Sequence, residues 1–224
     1  MKTIILAAGI GRRFKGLDLP KPLTRLANGK SILQMQVETL GRYTSLDDVL
    51  VVVGYHKEKI IEQFPSLLFV YNPDFAQENT SKSLLRALCK VQDDLLWING
   101  DVVFHPEALE AILDCKKNSM MVNVGPVGEE EVKYRANDQG RILEVSKQVL
   151  DPQGEALGIN YFKKADLDHL KRNLEKCENN DYFEKAMEFC IAENVEIWSV
   201  PVDAAKCTEI DFPEDLDRAN QIIF

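Results

Sequence analysis

Two glycines and three basic residues stand close together near the start of the chain, directly after a short apolar run. Gly9 and Gly11 are followed by Arg12, Arg13 and Lys21. Glycines permit unusual backbone dihedrals and close ligand approach, and freed backbone N–H groups can cradle phosphate oxygens. Arginine and lysine supply the charge that a polyphosphate needs. The segment indicates either a polyphosphate site or a glycine-rich turn with solvated basic side chains.

Two common phosphate-binding motifs do not fit this spacing. A dinucleotide fingerprint would need a third glycine where Phe14 stands, and an acidic residue where Gly54 and Tyr55 follow the second strand. A Walker loop over residues 28–31 would place its first glycine at Thr24, away from the first strand. The spacing therefore argues against a nicotinamide enzyme and a P-loop ATPase.

Apolar runs that could form strands alternate with helical patterns along the chain. The expected strands are 3–7, 49–53, 67–71, 95–98, 132–134, 142–145, 156–162 and 196–200. The expected helices are 31–43, 56–64, 81–91, 106–116, 165–174, 182–192 and 213–223, with Thr80 or Ser81 capping the third. Short connections predict an α/β fold with a Rossmann-like, mostly parallel sheet, helices on both faces and a hairpin turning at Asn137 to Gly140. Ligands of such sheets bind beyond the carboxyl ends of the strands, where the glycine segment stands.

Composition narrows the class of protein. The 224 residues carry a net charge of -9, from 36 acidic and 27 basic residues, which disfavours a nucleic-acid binder. The five cysteines are scattered and odd in number, which argues against a disulfide framework or zinc site and favours a reducing cytoplasm. The first apolar run is too short for a signal peptide, and no stretch approaches the roughly 20 apolar residues of a membrane helix.

The motif LAAGIGRR (residues 6–13), followed by PKPL (residues 20–23), resembles the nucleotidyltransferases that make NDP-sugars and CDP-alcohols. The resemblance implies that the glycine loop wraps a nucleoside triphosphate, while Arg13 and Lys21 neutralise its phosphates during catalysis. Arg12 departs from the serine or threonine that is more usual there, and the segment before Pro20 is shorter than in many sugar enzymes. The implied nucleotide-binding residues are Leu6, Ala8, Gly9, Gly11, Arg12, Arg13, Lys21, Asn79, Ser83 and Gly100.

Two further matches imply a magnesium site. INGD (residues 98–101) puts Asp101 just past a buried strand, and EIDFPEDL (residues 209–216) puts Asp211 before the last helix. The family uses one aspartate from each place to hold Mg²⁺, for which carboxylates are suitable hard donors. Taken alone, Asp101 could be a loop or capping residue and Asp211 could support the next helix.

Other segments resemble one branch of the family. ENTSKSL (residues 78–84) is similar to a segment that lies against the pyrimidine base in phosphocholine cytidylyltransferases and relatives using inositol phosphate or aminoethylphosphonate. The resemblance implies that Asn79 and Ser83 contact cytosine, since an amide can both donate and accept. The simpler alternative is an N-cap region for the following helix.

The acceptor half of the same branch is similar to residues 131–134, 140–147 and 154–162. The resemblance makes Lys147, and secondarily Lys133, candidates for facing the acceptor phosphate, although either could be a solvated lysine. A choline-type acceptor would need an aromatic and acidic cage. Tyr134 and Tyr161 are acceptor-site candidates, and residues 129–131, Tyr182 and Trp198 could also contribute.

The resemblance therefore implies an Mg²⁺-dependent enzyme that transfers CMP from CTP to a phosphorylated small alcohol or phosphonate. It spans nearly the full length, and we expect one domain with a nucleotide-binding half (1–118) and an acceptor-binding half (119–224). One alternative is a sugar-1-phosphate nucleotidyltransferase that uses UTP or dTTP. Another is a regulatory domain that binds nucleotide without turnover. The sequence leaves the acceptor open, as well as the choice between monomer and homodimer.

Overall fold

The computed structural model describes residues 1–11, 19–212 and 214–222 of the chain. Its strands are β1 (Lys2–Ala7), β2 (Val49–Val53), β3 (Leu68–Tyr71), β4 (Leu95–Asn99), β5 (Val102–Phe104), β6 (Ser119–Val122), β7 (Lys133–Ala136), β8 (Ile142–Ser146), β9 (Gly154–Phe162), β10 (Trp198–Pro201) and β11 (Cys207–Glu209). Its helices are α1 (Ile32–Leu40), α2 (Lys57–Gln63), α3 (Thr80–Leu88), α4 (Pro106–Cys115), α5 (Leu167–Lys176), α6 (Phe183–Ala192) and α7 (Asp215–Ile222). Short 3₁₀ helices are Lys21–Leu23, Leu46–Asp48 and Lys164–Asp166.

The sequence patterns correctly located these helices and most of the strands. The predicted hairpin is β7 and β8, and in its turn the Gly140 N–H donates to the Asn137 carbonyl at 2.8 Å. Three short strands of three or four residues, β5, β6 and β11, were not predicted. The predicted cap of α3 was wrong: Asn79 is the N-cap, and its side chain accepts from the Thr80 N–H at 2.8 Å.

The main sheet has the strand order β10, β6, β9, β4, β1, β2, β3, and the β7–β8 hairpin joins it through β9. In this order, β9 runs antiparallel to its neighbours β4 and β6, while the remaining pairs are parallel. Leu6 is level with Val52 of β2 and with Asn99 of β4, so these strands end together at one edge. The position of β9 means that the two predicted halves share one sheet.

Helices cover both faces of this sheet, as predicted. Alternate residues of each strand point to opposite faces, so Ile4 and Leu6 pack in a core with α3, α5 and α6. Ile5 and Ala7 pack in a second core with α1, α2 and α4. Trp97 is fully buried on the first face. Its ring lies 5.4 Å from that of Phe162 and 5.6 Å from that of Phe183, which fixes α6 against the sheet.

All five cysteines fall in the described part of the chain and are free thiols. Burial raises the pKa of the Cys177 and Cys190 thiols to about 11, which keeps them protonated and unreactive near neutral pH. Among the helices of the described ranges, none has both the length and the apolar character needed to cross a bilayer.

Gly54, directly after β2, provides a test of how closely the strand ends pack. A Cβ at this position would lie 2.6 Å from the Ala8 carbonyl oxygen and 2.6 Å from Phe75 Cβ. We expect Gly54→Ala to lower the free energy of unfolding by about 1 to 3 kcal/mol, as measured by urea denaturation. Gly41→Ala is the control, because Gly41 is in the right-handed helical region and its nearest contact would be 3.4 Å. Equal stabilities of the two variants would contradict this account of the packing.

Candidate active site

A cleft of about 590 Å³ opens at the carboxyl edge of β1 and β4. Its lining includes Gly9, Gly11 and Gly100, residues of the segments around β7 and β9, and the start of α6. This is the position where open α/β sheets bind ligands. Its volume is within the ordinary range for small-molecule sites.

Gly11 has a backbone conformation that favours glycine. Its φ is +65°, in the left-handed region, and a Cβ there would lie 3.2 Å from Lys21 Cβ. Any other residue would therefore be strained and would press on the lysine. Lys21 itself begins a 3₁₀ turn after Pro20, anchored by the buried side chains of Pro22 and Leu23.

Lys21 lies between two carboxylates that are distant in sequence. Its Nζ donates to Asp101 Oδ2 at 2.7 Å and to Asp211 Oδ1 at 2.8 Å, and only 11% of its side chain is exposed. Burial lowers the pKa of Lys21, but the two carboxylates raise it by more, so that it lies above its ordinary value of 10.5. The ammonium therefore stays charged at neutral pH.

The two unpredicted strands β5 and β11 bring these aspartates together. They pair antiparallel with Val102 opposite Glu209, and the Ile210 N–H donates to the Asp101 carbonyl at 3.0 Å. Buried Gln36 donates to the carbonyls of Asn99 and Val102, both at 2.8 Å, and so holds the turn that carries Asp101.

Asp215 holds the second aspartate's loop in a similar way. Its Oδ2 accepts from the backbone N–H of Asp211 at 2.8 Å and from that of Phe212 at 2.7 Å. Asp211 is therefore positioned by the start of α7 as well as by β11.

The residues present suit a magnesium ion. Asp101 and Asp211 approach one ammonium from two sides, so a divalent cation at that place would be within reach of both sets of hard oxygen donors. Within the described ranges, no group of three His, Cys, Asp or Glu side chains could hold a metal. Two carboxylates agree with the preference of Mg²⁺ for few protein ligands supplemented by substrate phosphates and water.

The remaining nucleotide candidates divide into two groups. Leu6, Asn79 and Gly100 line the cleft with the glycines. By contrast, Ser83 is 5% exposed and accepts from Asn72 Nδ2 at 3.1 Å, while Ala8 is 4% exposed. Neither Ser83 nor Ala8 belongs to the cleft lining, so their contact with the nucleotide stays a prediction. Arg12 and Arg13 lie outside the described residues.

Of the acceptor candidates, Lys147 lines the cleft, as do Glu130, Glu131 and Tyr182. Its Nζ lies 3.3 Å from Glu130 Oε2 and 5.0 Å from the centre of the Tyr182 ring. Lys133 instead donates to the Lys147 carbonyl at 3.1 Å and so braces the segment that carries Lys147.

The two tyrosine assignments are corrected by the structure. Tyr134 is 3% exposed and belongs to the core, where burial raises its pKa. Tyr161 donates to Asp94 at 2.7 Å, beside the start of β4 and so at the opposite edge of the sheet. Trp198 is also remote from the cleft lining and contacts Lys117. A sequence pattern cannot distinguish such core aromatics from a cage.

Sequence reasoning missed several carboxylates that line the cleft, among them Glu155 of β9, Glu184 of α6 and Glu209 of β11. Burial raises the pKa of Glu184 to about 7, and burial together with the neighbouring Glu131 raises that of Glu155 to about 6. Burial, followed by Asp101 and Asp211, raises the pKa of Glu209 well above 4.5. No spacing signal distinguished these from surface glutamates, because their burial is produced by the fold.

A mixed, mostly parallel sheet with β9 inserted antiparallel defines the α/β fold of the nucleotide-diphospho-sugar transferases. Residues 3–179 match the family described as the MobA-like NTP transferase domain. The chain belongs to that family.

Individual relatives in this comparison carry different names and cover different shares of the chain. The chain is 31% identical over 175 residues to the bifunctional protein GlmU of Methanocaldococcus jannaschii, a match that covers 73% of this chain but 40% of that protein. It is 26% identical to the UTP–glucose-1-phosphate uridylyltransferase AglF of Haloferax volcanii, over 99% of this chain and 96% of that one. Among solved structures, the CTP:phosphocholine cytidylyltransferase LicC of Streptococcus pneumoniae is similar with a TM-score of 0.82 and 20% identity, covering 99% and 98% of the two chains.

The raised pKa of buried Glu184 predicts how the free energy of unfolding changes with pH. The folded pKa of about 7 exceeds the ordinary 4.5, so the folded state binds more protons and stability falls as pH rises from about 4.5 to 7. We expect Glu184→Gln to remove this loss, which is on the order of 3 kcal/mol, when urea unfolding is compared at pH 5 and pH 8. Glu188→Gln on the same helix is the control, because the Glu188 side chain is 42% exposed and paired with Lys185. Parallel pH curves for wild type and Glu184→Gln would contradict the assignment.

Proposed function

We propose that this protein transfers CMP from CTP to a phosphorylated small alcohol or a phosphonate, such as a phosphocholine-like molecule, and releases pyrophosphate. The observation that carries the proposal is the contact of Lys21 with Asp101 and Asp211 beside the glycine segment at the carboxyl edge of the sheet. These groups supply the charge and the metal ligands that a triphosphate needs, in the cleft that the fold provides.

The reaction is a direct displacement. An oxygen of the acceptor phosphate or phosphonate forms a bond to the α-phosphorus of the triphosphate, while the bond from that phosphorus to the bridging oxygen breaks and pyrophosphate leaves. The attacking oxygen is already anionic near neutral pH, so no general base or covalent intermediate is required. Alignment and charge neutralisation then supply most of the rate enhancement.

Each residue of the site has one assigned role. Lys21, together with Arg13, offsets charge on the departing pyrophosphate, and Asp101 and Asp211 would hold Mg²⁺. When bound, Mg²⁺ would withdraw charge from the phosphate oxygens. Lys147, which lines the same cleft, orients the acceptor phosphate.

Two observations support CTP as the donor. Asn79 lines the cleft at the start of α3, where its amide could reach a base edge, and the fold is similar to that of LicC, a named CTP:phosphocholine cytidylyltransferase. In this structure the Asn79 side-chain oxygen caps α3, and its Nδ2 donates to the Asn180 carbonyl at 3.2 Å. The second candidate is transfer of UMP to a sugar phosphate, which is favoured by the similarity to the Haloferax volcanii uridylyltransferase.

Removal of one charge from the contact of Lys21 with Asp101 and Asp211 should slow turnover and leave the fold intact. We expect Lys21→Ala and Asp101→Asn each to lower kcat by about 10²-fold or more, because both groups act mainly on charge that develops during the reaction. Pyrophosphate release under saturating nucleotide measures the effect.

Lys30→Ala is the matched control, since Lys30 is 40% exposed and forms a surface ion pair with Glu38 at 2.5 Å. We expect this variant to turn over normally. Thermal melting of all three variants separates lost chemistry from lost folding. Normal turnover by both Lys21→Ala and Asp101→Asn would show that the site is elsewhere.

A screen of donors and acceptors tests the substrate assignment. ATP, GTP, CTP, UTP and dTTP are each offered with Mg²⁺ and a mixture of phospho-alcohols, phosphonates and sugar phosphates, and the products are weighed by mass spectrometry. We expect CMP adducts of a phospho-alcohol or phosphonate. UMP or dTMP adducts of a sugar phosphate would support the second candidate, and nucleotide binding without pyrophosphate release would contradict an enzymatic role.

Asn79→Ala in the same screen examines the base site. We expect the ratio of kcat/KM for CTP over UTP to fall, because the residue can pair with the base edge. Asn28→Ala, in the exposed turn before α1, is the control. An unchanged ratio in Asn79→Ala would remove this residue from base recognition.

A further inference from the structure

Lys21 contacts the two carboxylates that the proposed reaction assigns to a divalent cation. That reaction places the Lys21 ammonium on phosphate oxygens and places the cation on Asp101 and Asp211. In the structure, Lys21 Nζ lies 2.7 Å from Asp101 Oδ2 and 2.8 Å from Asp211 Oδ1. The lysine and a divalent cation therefore compete for the same two oxygens.

The distances at this contact make shared occupancy unfavourable. Mg²⁺ binds carboxylate oxygens at about 2.0 to 2.1 Å. An ion on Asp101 Oδ2 would therefore lie within about 5 Å of Lys21 Nζ, since both bind that oxygen. Only 11% of the Lys21 side chain is exposed, so water screens the repulsion between the two cations poorly. A divalent ion that binds both aspartates must displace the lysine.

The charges of the three side chains lead to the same conclusion. The lysine offsets one of the two aspartate charges, and a divalent ion would offset both. The lysine and the divalent ion together would leave an excess of positive charge on the pair of aspartates. A nucleoside triphosphate brings several negative charges of its own, and its oxygens are strong acceptors for an ammonium group. Both cations can therefore be accommodated once a triphosphate is bound.

The Lys21 side chain can change partners while its backbone stays in place. The 3₁₀ turn Lys21–Leu23 is closed by the Thr24 N–H, which donates to the Lys21 carbonyl at 2.9 Å. Lys21 Cβ lies 3.2 Å from the position that a Cβ on Gly11 would take, so its stem starts beside the glycine segment. The flexible four-carbon stem allows the ammonium to turn from the carboxylates towards that segment.

The two aspartates have backbone supports that do not involve the lysine. The Ile210 N–H donates to the Asp101 carbonyl at 3.0 Å, and the Asp211 N–H donates to Asp215 Oδ2 at 2.8 Å. These bonds can persist when Lys21 turns away. Both carboxylates then remain near the positions at which they can bind a divalent ion.

We propose that Lys21 is a resident cation that excludes a divalent ion from Asp101 and Asp211 until a triphosphate draws the ammonium away. This rests on the proposed function, because that function supplies the triphosphate. Binding of the ion and binding of the nucleotide are then coupled, and each raises the affinity for the other by the same factor. The contact holds one cation before the nucleotide binds and a different one afterwards.

Removal of the Lys21 charge should open the two aspartates to metal alone. Mn²⁺ is the probe, since it prefers the same oxygen ligands as Mg²⁺, and electron paramagnetic resonance measures its bound fraction. Without nucleotide, we expect Lys21→Met to bind Mn²⁺ about tenfold or more tighter than wild type, because the competent state no longer requires displacement of the lysine. Methionine is unbranched like lysine and carries neither a charge nor an oxygen ligand. Lys21→Ala is the second variant and should show the same gain.

Two further variants locate the ion. Lys30→Met removes a lysine that is 40% exposed and paired with Glu38, and it should bind Mn²⁺ as wild type does. Addition of Asp101→Asn to Lys21→Met should abolish the gained binding, because one ligand of the ion is lost. Equal Mn²⁺ affinity of wild type and both Lys21 variants would overturn the proposal, as would a gain that survives Asp101→Asn.

Thermal melting with and without Mn²⁺ gives a readout that covers a poorly folded variant. Loss of the lysine leaves the repulsion between Asp101 and Asp211 without an offset, so Lys21→Met should melt at a lower temperature than wild type. An ion that binds the folded state raises the melting temperature. We expect Mn²⁺ to stabilise Lys21→Met more than wild type, and an equal or smaller shift would contradict the exclusion.

Wild-type protein tests the effect of the nucleotide. We expect it to enhance the water-proton relaxation caused by Mn²⁺ when CTP or UTP is present, and to give no enhancement with Mn²⁺ alone. Enhancement with the ion alone, or none with either triphosphate, would overturn the proposal. Absence of pyrophosphate release with every triphosphate and acceptor would instead overturn the proposed function. In that case, tighter binding of Mn²⁺ by Lys21→Met would still support exclusion of the ion by Lys21.

Discussion

One buried ammonium group shared by two carboxylates constrains the rest of this structure. Lys21, Asp101 and Asp211 are separated by 80 and 190 positions along the chain, yet they meet within hydrogen-bond distance. The attraction of the lysine offsets the repulsion between the two aspartates. The β5–β11 pairing, the Gln36 hydrogen bonds and the Asp215 cap all hold backbone near this contact.

The negative charge of the cleft would repel a phosphate-containing ligand. Its described cations are already paired with carboxylates, and several carboxylates remain without a cation. A triphosphate would bring further negative charge to such a cleft. A divalent cation held by Asp101 and Asp211 would reduce that repulsion, and the glycine segment can add backbone N–H donors. A magnesium ion held there would therefore have a physical role, the reduction of repulsion between phosphates and carboxylates, in addition to the resemblance of motifs.

Glu184 illustrates how a buried carboxylate in the cleft can lower the stability of the fold that carries it. Glu184 is held in the first turn of α6 by the packing of Phe183 against Trp97, and burial raises its pKa to about 7. The folded state must therefore either protonate this group or keep a charge away from water. Groups with a strongly perturbed pKa cluster in the clefts where proteins carry out their functions.

The sequence by itself determined the order of the helices and longer strands, because periods of two and 3.6 are local properties of side chains on one segment. It also marked the glycine segment, Lys21, Asp101 and Asp211, since their motifs lie in short contiguous stretches. Only the tertiary structure decided that β5 and β11 pair, that Ser83, Tyr134 and Tyr161 lie outside the cleft, and that Glu155 and Glu184 line it. The burial of a side chain and its distance from other side chains depend on which segments pack together. Local sequence patterns do not specify that packing for individual residues.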